Sequence, residues 1–156
     1  MTKIIKLKKN KGFVILFAVT ISAIILSITL GITDIAFQEI KFSTSVKDTN
    51  NAFFAADTGA ECALVNDKTS GSVFVEGTSP SITCNDNSMI ATESPALYWS
   101  FIIPNLGNEG EGCAKVTVNK SVVPNTTIIS KGYNIGSPDC NSNSSNLVER
   151  ELELNY

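Results

Sequence analysis

The chain has 156 residues, of which 43% are hydrophobic, and carries a formal net charge of −3. It contains no histidine, which excludes a Ser-His or Cys-His catalytic pair and any histidine-ligated metal site. Charge is unevenly distributed: the residues after Gly12 hold fifteen acids against seven bases, whereas the residues before it hold no acid and five lysines, Lys3, Lys6, Lys8, Lys9 and Lys11. The acidic main part argues against nucleic acid as a primary partner.

The first predicted element is an apolar helix over residues 13–33, which contain no charged side chain. At 1.5 Å per residue this run reaches roughly 30 Å, the thickness of the hydrocarbon core of a bilayer. Since the backbone must satisfy its own hydrogen bonds in lipid, the run is predicted to be a transmembrane helix. Its serine and threonine hydroxyls can bond to carbonyls of the preceding turn. The lysines before it place the N-terminus in the cytoplasm and the later residues on the far side of the membrane.

Residues 34–66 are predicted to continue the same helix as an amphipathic half. They contain no proline, and small or apolar residues recur at helical spacing, namely Ile32, Ala36, Ile40, Ser43, Val46, Phe53, Ala56, Ala60, Ala63 and Leu64. The expected helix has about 50 residues, and its weak points are Gly31 and Gly59, each costing roughly 1 kcal/mol relative to alanine. An ordinary membrane anchor has no need of such a long amphipathic helix, whereas a subunit that packs in a bundle does.

Residues 67–156 are predicted to form a β-rich globular domain outside the membrane. A turn at 66–71 ends the helix, and strands are expected at 72–75, 81–84, 96–103, 113–118, 126–130 and 148–156. The strand at 96–103 is expected to be central and to close at Pro104, and polar loops are expected at 85–88, 107–112, 119–125 and 135–146.

The final stretch alternates strictly between two kinds of side chain. One face carries Val148, Arg150, Leu152, Leu154 and Tyr156, and the other carries the glutamates. This pattern indicates an antiparallel sheet with one face on a core. The expected fold class is therefore α+β, with the sheet packed on the outer half of the long N-terminal helix.

The four cysteines, Cys62, Cys84, Cys113 and Cys140, all follow the apolar run. An even number outside the cytoplasm favours two disulfides over free thiols. A zinc site is disfavoured because there is no C-x-x-C pair, and no cofactor or metal is expected. Three pairings are possible; sequence order favours Cys62–Cys84 and Cys113–Cys140, each contributing roughly 3 kcal/mol on the loop-entropy model.

Catalysis is not expected, and no small-molecule substrate is evident. The acid groups Glu109/Glu111 and Glu149/Glu151/Glu153 are interpreted as a solvated loop and a solvated face. The glycine-rich loop at 107–112 holds two of these glutamates, which would repel phosphate, and no lysine follows in the position of a phosphate-binding loop, so it does not resemble one.

Three stretches resemble a known family. Lys-Gly followed by an apolar run that begins with phenylalanine, KKNKG-FVILF, resembles a type IV prepilin leader with its processing site between Gly12 and Phe13. Residues 51–61, NAFFAADTGAE, resemble the AFxAAxxGxE stretch of PilX-type minor pilins and of the related K-subunit pseudopilins of type II secretion. Residues 129–133 and 148–154 resemble the closing strands of that group. The likeness is fullest over residues 8–65.

The resemblance implies a pilin-like fold and a prepilin leader at residues 1–12, removed by a prepilin peptidase before N-terminal methylation. It also implies that the subunit is held in the membrane and then joins other pilin subunits through its N-terminal helix, in a fimbrium at the cell surface. Phe17 stands at the fifth mature position, where most pilins have a glutamate. Within the family this departure accompanies tip or priming subunits, and simple drift of the position is the alternative.

Two other interpretations stay open on the sequence. The chain could be an uncleaved single-pass envelope protein whose β-domain binds a ligand or scaffolds a complex, and an anchored enzyme would need a catalytic constellation that is not seen. A cleaved secretory signal is disfavoured because the apolar run is too long and no A-x-A-like site follows it. The choice between a pilus, a secretion piston and a DNA-uptake apparatus is also left open.

Overall fold

The structure is a computed structural model that describes residues 11–69, 71–85 and 87–156. Within these ranges a helix, α1 (Lys11–Lys68), precedes seven strands: β1 (Ser81–Cys84), β2 (Asn87–Ile90), β3 (Thr92–Glu93), β4 (Tyr98–Leu106), β5 (Gly112–Asn119), β6 (Thr127–Tyr133) and β7 (Glu149–Asn155). The chain divides into two compact units, the first ending at Thr44 and the second comprising Ser45–Tyr156. Each unit is described by itself.

The first unit consists of the N-terminal part of α1, and its side chains from Phe13 onward are exposed. The five hydroxyl groups of residues 13–33 donate to carbonyls of the preceding turn, as the sequence predicts. Thr20 Oγ1 donates to the carbonyl of Phe17 at 2.9 Å, and Thr29 Oγ1 donates to that of Ile25 at 2.7 Å. These bonds leave no hydroxyl hydrogen facing an apolar surrounding, so the helix can lie in lipid without unsatisfied donors.

The second unit contains two antiparallel sheets. The larger has five strands in the order β3-β4-β5-β6-β7, and the smaller pairs β1 with β2. Val116 of β5 lies opposite both Phe101 of β4 and Ser130 of β6, and Ser130 lies opposite Leu152 of β7. The long helix and the packed antiparallel sheet confirm the α+β class.

One face of the large sheet packs on the last part of α1. Trp99 and Ile103 of β4 and Val118 of β5 are fully buried there. They form one apolar cluster that also contains Ala55, Cys62, Ala63, Phe74, Ile82, Ala91, Phe101, Leu106, Ala114, Val116 and Ile128. Because the helix contributes mainly alanines to this cluster, the large side chains of the core come from the sheet.

Two glycines set the distance between α1 and the sheet. A Cβ added at Gly132 of β6 would lie 2.8 Å from the Cα of Ala56 and would also meet the backbone of Ala52. A Cβ at Gly59 of α1 would lie 2.9 Å from the side chain of Ala114. Backbone atoms of α1 leave no room for a side chain at Gly132, and side chains of β5 and β6 leave none at Gly59. Glycine therefore stands in the middle of a strand and of a helix.

The prediction of a strand at 72–75 is wrong. This segment is a loop in which the Phe74 N–H bonds to Ser72 Oγ at 3.1 Å and the Val73 N–H bonds to the carbonyl of Asn66 at 3.3 Å. Phe74 is only 3% exposed, and its ring centroid lies 5.7 Å from that of Trp99. The apolar residue therefore fills the core rather than extending a sheet.

Other boundaries also differ from the expectation. The helix ends at Lys68 rather than at 66, and β2 takes up part of the loop expected at 85–88. Strand β4 passes through Pro104 to Leu106, with an irregular register between Ile103 and Leu106. Proline has no N–H to donate to a ladder, and an irregularity of this kind is where a strand accommodates it.

The alternation in β7 is confirmed. Its three glutamates are exposed, whereas Leu152 and Leu154 are half-buried; Arg150, assigned to the same face as the leucines, is exposed. The sheet thus has a core face and a solvated face.

Substituting Gly132→Ala should destabilise the second unit at the upper end of the roughly 1–3 kcal/mol typical of overpacking, because the added methyl meets backbone atoms that cannot rotate away. The measurement is denaturant unfolding of the full chain followed by fluorescence of Trp99, the only tryptophan. Gly31→Ala, where a Cβ meets nothing within 4 Å, should leave the Trp99 transition unchanged. An equal midpoint for Gly132→Ala and the parent would contradict the close approach.

Candidate functional site

The candidate site is the apolar surface of the first unit. Among the described residues, α1 is long and apolar enough from Phe13 onward to cross a membrane, by length and composition. Its most apolar window has a mean hydropathy of 2.7, and none of that window is buried. A bilayer provides the apolar surroundings that such a surface requires.

The exposed apolar surface does not stop where a single crossing would end. In residues 34–44, here called the extension segment, four large side chains are 60–72% exposed: Ile35, Phe37, Ile40 and Phe42. They lie beyond the roughly 30 Å that residues 13–33 can span. Charges stand among them at Asp34, Glu39 and Lys41, so the segment is unsuited to lipid. Covering each of the four side chains would contribute roughly 1.5–3 kcal/mol.

The residues assigned to processing are placed only in part. Residues 1–10 of the expected leader lie outside the described residues. Gly12 and Phe13 fall within α1, and Phe13 is 74% exposed. Phe17, at the position where most pilins have a glutamate, is also exposed.

The stretch 51–61 has a packing explanation. Its alanines at 52, 55, 56 and 60 are at most 3% exposed and, with Gly59, form the side of α1 that contacts the sheet. Phe53 and Phe54 are not part of this contact and are 43% and 63% exposed. Their rings contact each other edge to face, with 5.9 Å between the ring centroids. The small residues of this stretch are therefore required by the close approach to β5 and β6.

The cysteines form two disulfides, Cys62–Cys84 and Cys113–Cys140, the pairs that sequence order favours. Their Cα atoms are 5.9 Å and 5.7 Å apart, within the usual range. The first joins α1 to β1. The second joins β5 to the loop after β6, where both its cysteines pack with Tyr133 in a separate small apolar cluster.

A buried polar cluster lies where α1 ends, and sequence reasoning missed it. Asp67, which is 7% exposed, forms an ion pair with Lys120. It also accepts hydrogen bonds from Ser72 Oγ at 2.6 Å and from the Tyr156 hydroxyl at 2.9 Å. Three separate stretches of the chain meet at this carboxylate, namely residues 67–72, Lys120 and Tyr156. No local pattern signals the cluster, because Lys120 and Tyr156 are distant from Asp67 in the sequence.

The cluster shifts the acidity of its members. Burial by itself raises the pKa of Asp67, but the hydrogen bonds from Lys120, Ser72 and Tyr156 together outweigh it and hold the pKa below its usual value. Burial and the bond to Asp67 raise the pKa of the Tyr156 hydroxyl. The carboxylate is therefore ionised and the phenol neutral over the physiological range.

A cavity of about 420 Å³ lies between α1 and the β4–β5 loop. The acid pair Glu109/Glu111 stands at it, and Glu111 is bound by Lys47 Nζ at 3.2 Å and by Asn51 Nδ2 at 2.9 Å. The hydrogen bond from Lys47 lowers the pKa of Glu111. In residues 11–69, 71–85 and 87–156, no group of three or more metal-binding side chains is gathered.

Comparisons of the chain with protein-family models, with curated proteins and with solved structures find no match. The likeness to pilins therefore depends on the stretches quoted above.

Asp67→Asn should destabilise the second unit by roughly 3 kcal/mol at neutral pH. This value is near the lower end of the cost of removing one partner of a buried ion pair, because Lys120 keeps some contact with water. Folding lowers the pKa of Asp67, so the ionised carboxylate stabilises the folded state at pH values above the pKa that Asp67 has in the unfolded chain. This stabilisation is lost as the pH falls through the pKa of Asp67 in the folded state. The difference between parent and variant should therefore shrink on acidification below about pH 4.

The measurement is the denaturant midpoint followed by Trp99 fluorescence at several pH values. Glu61→Gln removes an exposed acid from the same helix and should leave the neutral-pH midpoint within about 0.5 kcal/mol of the parent. A pH-independent difference for Asp67→Asn would contradict the assigned ionisation.

Proposed function

We propose that the protein is a minor, PilX-like type IV pilin or pseudopilin, a structural subunit of a type IV pilus or of a filament related to type II secretion. It acts at the tip of the filament or in priming filament assembly. The membrane holds the subunit through residues 13–33 before assembly, and the second unit lies outside the cytoplasm.

The extension segment is the observation that carries this proposal. Its four large apolar side chains are exposed in the first unit and lie past the length of a bilayer crossing. A single-pass anchor gains nothing from them, since water is unfavourable for such a surface. Neighbouring helices of a filament bundle would cover it.

Residues 13–33 also need an apolar covering when the subunit leaves the membrane. Extraction from lipid is tolerable only when the new surroundings are equally apolar, so contacts with other pilin helices must replace those with lipid. Phe17 makes the helix entirely free of acid before Asp34. A subunit without the usual glutamate does not depend on the charge pairing that repeats along a fibre shaft, which supports a tip or priming position.

A charge in the extension segment should prevent assembly and spare membrane insertion. Phe42→Asp places a carboxylate where the proposed bundle is apolar, and burying it without a partner costs several kcal/mol. In cells that carry the assembly machinery, the variant should be at least tenfold depleted from sheared filaments and remain in the membrane fraction. Phe42→Leu keeps an apolar surface and should assemble normally. Equal recovery of the two variants would contradict the role of the segment.

Processing is tested at the proposed cleavage site. Gly12→Trp should block the prepilin peptidase, because a bulky side chain replaces the glycine before the scissile bond, and the mass spectrum should then retain residues 1–12. Asn10→Ala changes the leader away from the bond and should give the shorter, mature mass. A mature mass from Gly12→Trp would disprove the assigned cleavage position.

The second candidate is an uncleaved single-pass envelope protein whose sheet domain binds a ligand or scaffolds a complex. The absence of an acid from residues 13–33 favours it, since an apolar helix without buried charge is comfortable alone in lipid. N-terminal sequencing of the native protein separates the two, because Phe13 at the start supports the pilin and Met1 supports the anchor.

A further inference from the structure

Strand β7 is the last strand of the large sheet, and among the described residues it pairs with β6 alone. Just beyond the two strands, the Thr126 N–H donates to the Tyr156 carbonyl at 2.8 Å, and the Tyr156 N–H donates to the Thr126 carbonyl at 3.1 Å. This is a hydrogen-bonded pair of an antiparallel ladder, and such pairs recur at every second residue. The residues of β7 that exchange backbone hydrogen bonds with β6 are therefore the even-numbered ones, Arg150, Leu152 and Leu154.

The backbone groups of the odd-numbered residues consequently face away from β6. These are the N–H and C=O groups of Glu149, Glu151, Glu153 and Asn155. The strand contains no proline and has no register shift against β6. It thus presents an unpaired, regular edge seven residues long, the geometry to which another strand can add.

The side chains along this edge specify what can pair with it. All three glutamates project on the solvated face, where Lys131 of β6 contacts Glu149 at 3.2 Å and Glu151 at 3.1 Å. Lys131 lies on the β6 side, and the side chains of Glu149 and Glu151 remain 45% and 46% exposed, so each can accept a second cation. On the core face Leu152 and Leu154 are only half-buried, and an added strand would cover them further.

A second copy of β7 does not fit this edge. When two copies pair with their solvated faces on the same side, glutamates lie opposite glutamates, which is destabilising. When one copy is turned over, the glutamates of each copy lie beside Leu152 and Leu154 of the other, where they have no cation. Charge complementarity favours a partner strand with basic residues at alternate positions.

We infer that the free edge of β7 is a strand-addition site for an extended segment of another protein that carries lysine or arginine at every second residue. Backbone hydrogen bonds to the odd-numbered residues provide the pairing. The basic side chains lie beside the glutamates, and the residues between them extend the core face next to Leu152 and Leu154. The inference does not depend on the proposed filament role.

The probe is an acetylated heptapeptide of alternating lysine and valine that begins and ends with lysine. Its binding to the full chain in uncharged detergent micelles is measured by fluorescence anisotropy, with protein-free micelles as the blank. The matched peptide replaces each lysine by glutamate. We expect the lysine peptide to bind at least tenfold more tightly than the glutamate peptide, with an affinity that falls as salt rises.

The decisive pair of variants is Glu151→Pro and Glu151→Ala. Both remove the same carboxylate, but only proline removes the outward N–H, which the β6 ladder does not use; proline is tolerated at such edge positions. Glu151→Pro should bind the lysine peptide at least tenfold more weakly than Glu151→Ala. Equal affinities for the two variants would overturn the inference.

Amide hydrogen exchange gives a readout that does not depend on a variant's folding. In the parent chain, the amides of Glu149, Glu151 and Glu153 should exchange quickly and become protected when the lysine peptide is bound, whereas those of Arg150 and Leu152 are protected throughout. Binding without new protection at the odd-numbered amides would show plain charge attraction and overturn strand addition. Concentration-dependent dimerisation of the parent that Glu151→Pro abolishes would assign the edge to a second copy and equally overturn the inference.

Discussion

The close contact between α1 and the large sheet is the constraint on which the second unit depends. Gly132 lies against the backbone of Ala52 and Ala56, and Gly59 lies over Ala114 and Val116. Since no larger side chain fits at either contact, the helix presents alanine and glycine to the sheet there. The large residues that fill the core, Trp99 among them, therefore stand on the strands and on the loop that follows the helix.

Covalent and ionic links hold the ends of this packing together. The Cys62–Cys84 disulfide joins α1 to the small sheet. The Asp67 cluster joins the end of α1 to the β5–β6 turn and to Tyr156 after β7. A domain of this size has a modest core, so each such link is a considerable part of its stability. Hydrogen bonds to both oxygens of the Asp67 carboxylate offset the cost of burying it.

The molecule presents two surfaces with different chemistry. The extension segment of the first unit offers apolar side chains, for which the favourable partner is another apolar helix. The β7 edge of the second unit offers backbone hydrogen-bonding groups flanked by glutamates, for which the favourable partner is a basic extended strand. In the proposed filament role, the extension segment would contact neighbouring helices and the β7 edge would remain available to a separate protein, because the two surfaces differ in chemistry.

Elements with a local signal could be predicted from the sequence. An uncharged apolar run followed by helical spacing predicts the long helix, and a period-two alternation in 148–156 predicts β7, because neighbouring residues carry each pattern. The order of the cysteines favoured the observed disulfide pairs but left the two other pairings open. Tertiary structure alone decided the rest: Phe74 filling the core instead of a strand, Asp67 meeting Lys120, and the reason for glycine at 132. These depend on groups far apart in the chain, and no local periodicity encodes which distant backbone a residue will meet.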